Sequence, residues 1–534
     1  MKTSKIYAIL QRKAGVIMCN DCCAYYEYLN IEGEKFFTMV FLPQKDKPFP
    51  TVICRSPYVG STIEKPEDEV LQSSLATFQD WLKRGYAVVY QHCRGQGKST
   101  GAFVPYIHER EDGLALREWI RKQSFYNGEL YLFGSSYTAS LHYSTAPFED
   151  DVKGAVFEVQ DSERYNLWYR NGQMRKGHAN WHFWLYKAKC GLNKTNNIKS
   201  FSDRPLKDLS ERVLGDRAED FEQMLAAQLR SDEFWNTRFG GRDARNAVIK
   251  ANIPILLTTG YNDFYVGGVF DMWNNMNKQA KKKSAMLVSP YNHGDGYGEG
   301  GLCFPNGKRA EQFGNNYQID WFDNIRKGTP LPFEKGVITY YRTFENRWES
   351  DFDLPAAKIV RLPLGCESLS FTYDPLNPTA FSGEGSFAKE VDSRQSFITL
   401  YTKPFNADVF IKGKIKAKLA VSSNCEETSF YMRISIKKSK YSYVLRHDIT
   451  SLCYQLGNYS KNKTVTLDFC FDEYAFLLKK GECLQIDIAS TDDNAYVVNT
   501  NKQGDYYLQS SADSAINTVH LGQSYLYLPI EQQI

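Results

Sequence analysis

The sharpest constraint in this 534-residue chain is a short turn, Gly134-Ser135-Ser136-Tyr137-Thr138-Ala139, directly after the apolar run Leu130 to Phe133. An apolar run of strand length that stops at glycine and continues as a small-residue segment predicts a buried strand turning sharply into a helix. The bend is tight, so the residues around its centre must be small. It holds the hydroxyl of Ser136 out at the end of a sheet.

The surrounding sequence supplies that sheet. Phe37 to Leu42, Thr51 to Cys54, Ala87 to Gln91 and Ala155 to Val159 are further strand-length apolar runs. Between them, Leu71, Leu75, Phe78 and Leu82 recur at helical spacing before Gly85, and Leu116, Trp119 and Ile120 share a second helical face. Such alternation predicts a mostly parallel sheet with helices on both sides. It lapses between about 161 and 250, where Trp168, Trp181, Trp184 and Trp235 sit among polar residues, and resumes at Ile253 to Thr259. That interval is expected to be an inserted helical cap, with Trp168, Trp235 and the nearby Phe264 as candidate walls of a substrate pocket. The helix carrying Val269, Met272, Trp273 and Met276 and the strand Ala285 to Ser289 complete the layer. Beyond about 336 the period changes to two: Val465, Leu467, Phe469 and Phe471 alternate with polar residues, as do Leu484, Ile486 and Ile488. Half-buried strands in series predict an antiparallel sandwich of jelly-roll type. The expected division is 1–160 with 251–335 as the α/β catalytic domain, 161–250 as the cap and 336–534 as the sandwich.

Charge narrows the partners. With 65 basic and 62 acidic residues the net charge is +3, and no Lys/Arg block is long enough to track a nucleic acid. Gln11, Arg12 and Lys13 interrupt the apolar start before a membrane span or export signal is complete, so a cytoplasmic protein is expected. Twelve cysteines spread through such a chain are expected to be thiols. The one cluster, Cys19, Cys22 and Cys23, has no second ligand pair nearby, so neither metal nor cofactor is expected. Gly97-Lys98-Ser99 mimics the end of a phosphate-binding loop, but His92 stands where that motif needs glycine. Oligomeric state is not legible, which leaves a homo-oligomer open.

A serine alcohol needs an imidazole to take its proton before it attacks a carbonyl. Among eight histidines, His293 lies just past the strand Ala285 to Ser289, in Pro290-Tyr291-Asn292-His293-Gly294-Asp295. Asp263 holds the same relation to the strand Ile255 to Thr259, in Gly260-Tyr261-Asn262-Asp263-Phe264. Ser136, Asp263 and His293 are therefore the candidate nucleophile, acid and base, in the chain order of α/β-hydrolases. The backbone N–H of Tyr137 and the hydroxyl of Tyr58, after the strand Thr51 to Cys54, are candidate oxyanion donors.

Arg55-Ser56-Pro57-Tyr58, Arg94-Gly95-Gln96-Gly97-Lys98-Ser99, the Ser136 turn, the Asp263 loop and Ser289-Pro290-Tyr291-Asn292-His293 stand in the order that resembles the CocE/NonD family of serine hydrolases. That family includes esterases, acylases and X-prolyl dipeptidyl peptidases. The resemblance spans nearly the whole chain, and Val409 to Gly413 followed by Leu419 to Ser423 resembles the opening of the family's jelly roll. It implies an α/β-hydrolase with a helical cap and a C-terminal jelly roll, and the same roles for Ser136, Asp263, His293, Tyr58 and Tyr137. Two positions depart from the family: Ala139 replaces a glycine and His92 an aspartate. His92 is expected to be structural. The roughly 35 residues before the first strand are too few for the additional N-terminal domain of X-Pro peptidases. The expected function is hydrolysis of a small-molecule ester or amide. The alternatives are acyl transfer through the same triad or ligand binding on a relic fold.

Overall fold

In the computed structural model, residues 14–18, 22–43, 47–160, 162–189, 204–296, 301–354, 358–388 and 396–531 are described. The first sheet begins with β1 (Ala14–Met18), β2 (Cys22–Ile31), β3 (Glu34–Pro43), β4 (Phe49–Ser56), β5 (Ala87–His92), β6 (Tyr126–Ser135) and β7 (Val152–Glu158). Among the described residues, the next segment is helical and carries the two-residue strands β8 (Tyr169–Arg170) and β9 (Gln173–Met174). The sheet resumes with β10 (Ile255–Gly260), β11 (Ala285–Ser289), β12 (Ile338–Arg342) and β13 (Arg347–Asp351). Its eleven strands lie in the order β1-β2-β3-β5-β4-β6-β7-β10-β11-β12-β13. All pairings from β5 to β12 along that path are parallel.

The two-residue strand period sorts side chains onto the sheet's two faces. Ile53, Val89, Leu132, Phe157, Leu257 and Val288 meet the helices Glu109–Arg121, Tyr137–Tyr143 and Val266–Asn275. Val52, Val88, Tyr131, Val156, Leu256 and Leu287 meet the helices Glu67–Lys83 and Tyr317–Lys327. Both faces are covered, so the central strands are apolar throughout.

The C-terminal part is two packed antiparallel sheets. One contains Val409–Gly413, Lys416–Ser423, Tyr474–Leu478, Ala515–His520 and Tyr525–Ile530; the other has four strands in the order Phe397–Tyr401, Cys483–Ala489, Ser429–Lys437, Ser442–Ser451. The expected start of the sandwich at 336 needs correction, because β12 and β13 are hydrogen-bonded into the first sheet. Their polar edge residues and short length give no period that separates them from sandwich strands.

Cys22 and Cys23 are buried in β2, and Cys19 lies outside the described residues. Among the described residues, no cysteine is paired with another. No described helix is long and apolar enough to cross a membrane.

The cap and sandwich are fastened by charge. Arg170 in β8 donates to Asp448 at 2.7 Å, to Asp472 at 3.1 Å and to the carbonyl of Cys470 at 2.7 Å. Burial opposes ionisation of Asp472, but the charges of Arg170 and Arg446 overcome it and hold its carboxyl down at about 2. Removing one partner of a buried ion pair strands the other. Arg170→Met should therefore lower stability by about 3–5 kcal/mol; an unchanged urea midpoint would contradict the role given to this arginine.

Candidate active site

Every candidate catalytic residue follows the carboxyl end of a parallel strand. Tyr58 follows β4, Ser136 follows β6, Asp263 follows β10 and His293 follows β11. In open α/β sheets this edge is where ligands bind. Since β6 and β11 are three strand positions apart, their ends are separated by roughly 14 Å, so the loops must carry the groups together.

At the turn after β6, Ser136 has φ 55° and ψ −132°, a conformation that costs an L-residue about 1–3 kcal/mol. The Ser136 amide donates to the Glu158 carbonyl at 2.8 Å, and its carbonyl accepts from Ala139 at 2.9 Å. Thr138 Oγ1 accepts from the Ser135 amide and donates to the Ser135 carbonyl, both at 2.7 Å. A Cβ at Gly134 would lie 2.4 Å from the Thr138 carbonyl oxygen and 2.6 Å from the Ala139 nitrogen. Ala139 is fully buried and packs its methyl into the core, so the departure from glycine is accommodated. Tyr137 opens the helix Tyr137–Tyr143, and a first-turn amide has no intrahelical acceptor.

The acid and base loops are held together by backbone hydrogen bonds, Tyr261 to Ser289 at 2.8 Å and Asn262 to Tyr291 at 2.9 Å. Gly294 and Asp295 both have positive φ, which reverses the chain just after His293. Asp295 then accepts from Ser289 at 2.5 Å and from the Arg309 amide at 3.0 Å. The result is that His293 Nδ1 lies 3.2 Å and 3.4 Å from the two oxygens of Asp263. Asp263 is fully buried and also accepts from the Tyr265 amide at 3.0 Å.

Tyr265 donates its amide to Asp263 and packs its ring against His293 at 5.3 Å. The Tyr58 hydroxyl accepts from Trp181 of the cap helix Lys176–Lys189 at 3.2 Å, and its ring stacks on Trp184. Burial pushes the Tyr58 phenol up to about 12, so it remains a donor. Phe264 is 48% exposed and stacks on the His293 ring at 5.2 Å, placing it at the mouth of the site.

Trp168 and Trp235, expected as pocket walls, have no exposed surface and belong to the cap's own core. Trp235 donates to the Ala227 carbonyl at 3.0 Å and packs edge-on against Tyr165, while Trp168 packs against Phe221. An indole that finds its acceptor and neighbours inside a helical layer is held there by packing.

His92, for which a structural role is expected, lies inside the fold. It is fully buried, accepts from the Lys98 amide through Nδ1 at 3.2 Å, and burial pushes its imidazole down to about 3. A Cβ at Gly97 would meet His92 Nδ1 at 2.5 Å, and Lys98 Nζ donates to the Ile63 carbonyl. These contacts account for Gly97-Lys98-Ser99 without a phosphate. Three site residues have no legible sequence signal of their own: Trp181, Tyr265 and Glu109. Glu109 is buried, accepts from the Tyr137 hydroxyl, and lies 3.7 Å from Arg55. It thereby ties the Tyr58 loop to the Ser136 turn.

The profile described as X-Pro dipeptidyl-peptidase (S15 family) matches residues 32–295, and that of the X-Pro dipeptidyl-peptidase C-terminal non-catalytic domain matches residues 333–526. Through these two matches the chain is similar over most of its length to X-Pro dipeptidyl-peptidases of the S15 family, a family of serine hydrolases. The hydrolase is similar to cocaine esterase from Rhodococcus sp. (strain MB1 Bresler), with 21% identity over 93% of this chain and 96% of that one. Among solved structures, an α-amino acid ester hydrolase shares its fold with a TM-score of 0.76, 17% identity and 97% coverage of both chains. A CocE/NonD family hydrolase from Staphylococcus aureus gives a TM-score of 0.67 at 16% identity, covering 96% of this hydrolase and 94% of that chain. These likenesses bear out the α/β-hydrolase with a C-terminal all-β domain.

Gly134→Ala should prevent the turn from closing, because the atoms it would meet are backbone and cannot swing aside. The expected outcome is loss of hydrolase activity by at least about a hundredfold, from displacement of Ser136. Full activity in a purified Gly134→Ala protein would contradict this.

Proposed function

We propose that this hydrolase cleaves a carboxylic ester, or a related amide, through an acyl-enzyme on Ser136. The observation that supports this most is the 3.2 Å contact between the buried Asp263 carboxylate and His293 Nδ1, in the same site as a serine held in a strained turn. In this reading the carboxylate fixes the imidazole tautomer, leaving Nε2 free to accept a proton.

Ser136 Oγ attacks the substrate carbonyl carbon while its proton passes to His293 Nε2. The carbonyl oxygen becomes negative and is met by the Tyr58 hydroxyl and the Tyr137 amide. Collapse of that intermediate breaks the bond to the leaving group, which takes the proton from His293. Water then repeats the sequence in reverse, giving its proton to His293 and releasing the acid from Ser136. Two relatives favour an ester as substrate, since one is named a cocaine esterase and the other an amino acid ester hydrolase.

A fluorophosphonate probe should label the wild-type protein and leave Ser136→Ala unlabelled; labelling of the alanine variant, or none of the wild type, would overturn the assignment. Tyr58→Phe keeps the ring and removes one donor. Its acylation rate should fall about a hundred- to a thousandfold with an unchanged melting temperature. Wild-type turnover in Tyr58→Phe would take that hydroxyl out of the mechanism.

A further inference from the structure

In the proposed reaction Tyr58 presents its proton to the substrate's carbonyl oxygen, yet its side chain is partly open to solvent, at 39% exposed. A phenol in water divides its proton between two in-plane positions and its lone pairs among mobile molecules. An oxyanion donor is most effective when its direction is fixed before charge develops. The backbone end of Tyr58 has that order, since its amide donates to Ser56 Oγ at 3.0 Å. The phenol end must be ordered from elsewhere.

The cap helix Lys176–Lys189 reaches it twice. Trp184 stacks on the Tyr58 ring at 6.2 Å, and Trp181, one turn earlier, donates its Nε1–H to the Tyr58 hydroxyl at 3.2 Å. An indole N–H is a donor only, so it takes one acceptor position and turns the phenol proton away from itself. A hydroxyl that accepts is also polarised into a stronger donor. Trp181 is held in its turn: its ring stacks on His178 at 4.7 Å and packs on Tyr137 at 5.3 Å and Tyr106 at 6.0 Å. His178 is buried with Nε2 3.3 Å from the Tyr106 hydroxyl, and burial lowers its imidazole well below the usual range, so the stack stays neutral. One indole therefore touches the side chains of both residues assigned to the oxyanion hole, Tyr58 and Tyr137.

We propose that Trp181 is a positioning residue for the oxyanion hole, whose N–H aims and polarises the Tyr58 hydroxyl. This inference rests on the reading of Tyr58 as an oxyanion donor and adds the cap residue that orders it.

The test replaces Trp181 with β-(3-benzothienyl)alanine, which keeps the bicyclic shape and has sulfur in place of the N–H. Pre-steady-state mixing with p-nitrophenyl butyrate gives the acylation rate at saturation, where differences in ester binding no longer count. Removing the N–H should slow that rate by at least about threefold, the loss of one modest hydrogen bond. In a Tyr58→Phe background the same replacement should leave it within about twofold, because a residue that acts through Tyr58 has nothing left to act on. A smaller loss in the first background, or a larger one in the second, overturns the proposal. If Tyr58→Phe alone acylates as fast as wild type, the oxyanion role of Tyr58 fails and that of Trp181 with it. If only the isostere is without effect, the Trp181 role alone falls. If wild type gives no burst and the fluorophosphonate leaves Ser136 unlabelled, the acyl-enzyme reading fails first.

Discussion

Ser136 occupies a backbone conformation that a residue with a side chain adopts only when its surroundings leave it no other choice. Those surroundings come from three directions. β7 supplies the carbonyl of Glu158 to the Ser136 amide, Thr138 brackets Ser135 on both sides, and Gly134 lets the following turn pass within touching distance. Glu158 is itself held from outside the sheet, where its carboxylate accepts from Tyr317 at 2.5 Å and Gln318 at 3.3 Å. The strain at one serine is thus carried by the register of two parallel strands and a helix almost two hundred residues away in sequence. Parallel pairing fixes the height of each strand end, and the strand ends fix where Tyr58, Ser136, Asp263 and His293 emerge.

A second layer of order lies beneath the site in buried charge. Arg94 holds Asp112 at 2.5 Å and 3.1 Å, Arg55 donates to Gln91 and the Glu109 carbonyl, and Glu109 receives the hydroxyl of Tyr137. The arginines of Arg55-Ser56-Pro57-Tyr58 and Arg94-Gly95-Gln96-Gly97 therefore meet on one helix, Glu109–Arg121, and position the loops on either side of Ser136. Burial raises the Glu109 carboxyl while Arg55 opposes that effect, so the pair is held by mutual need. The sandwich adds a further brace, with Tyr474 stacked on Tyr261 at 4.6 Å behind the loop that carries Asp263.

The strand pattern was legible because apolar period and length separate buried parallel strands from amphipathic helices. Val409–Gly413 and Ala285–Ser289 lie where the residues place them, and Leu71, Leu75, Phe78 and Leu82 do mark the buried face of one helix. The contact between Asp263 and His293 was legible as chain order plus strand-end position. Less was legible where a residue's role depends on a partner far away. Trp168 and Trp235 look the same in sequence as Trp181, yet only Trp181 reaches Tyr58, because the direction of an indole is set by how the cap helices pack. Tyr265 was hidden for the same reason, as its ring meets His293 from a different loop. The strands Ile338–Arg342 and Arg347–Asp351 carry no mark of the sheet they join, since pairing partners are not encoded in a five-residue period.

Covalent capture of an acyl group by Ser136 is the step on which the proposed function depends. Pre-steady-state mixing with excess p-nitrophenyl ester tests it most directly, because deacylation by water is expected to trail acylation of an activated ester. The expected result is a burst of nitrophenolate close to one equivalent per active site, with the acyl mass found on the peptide that contains Ser136 after an acid quench. A linear release with no burst, and no acyl adduct on that peptide in the quenched wild-type protein, would contradict it.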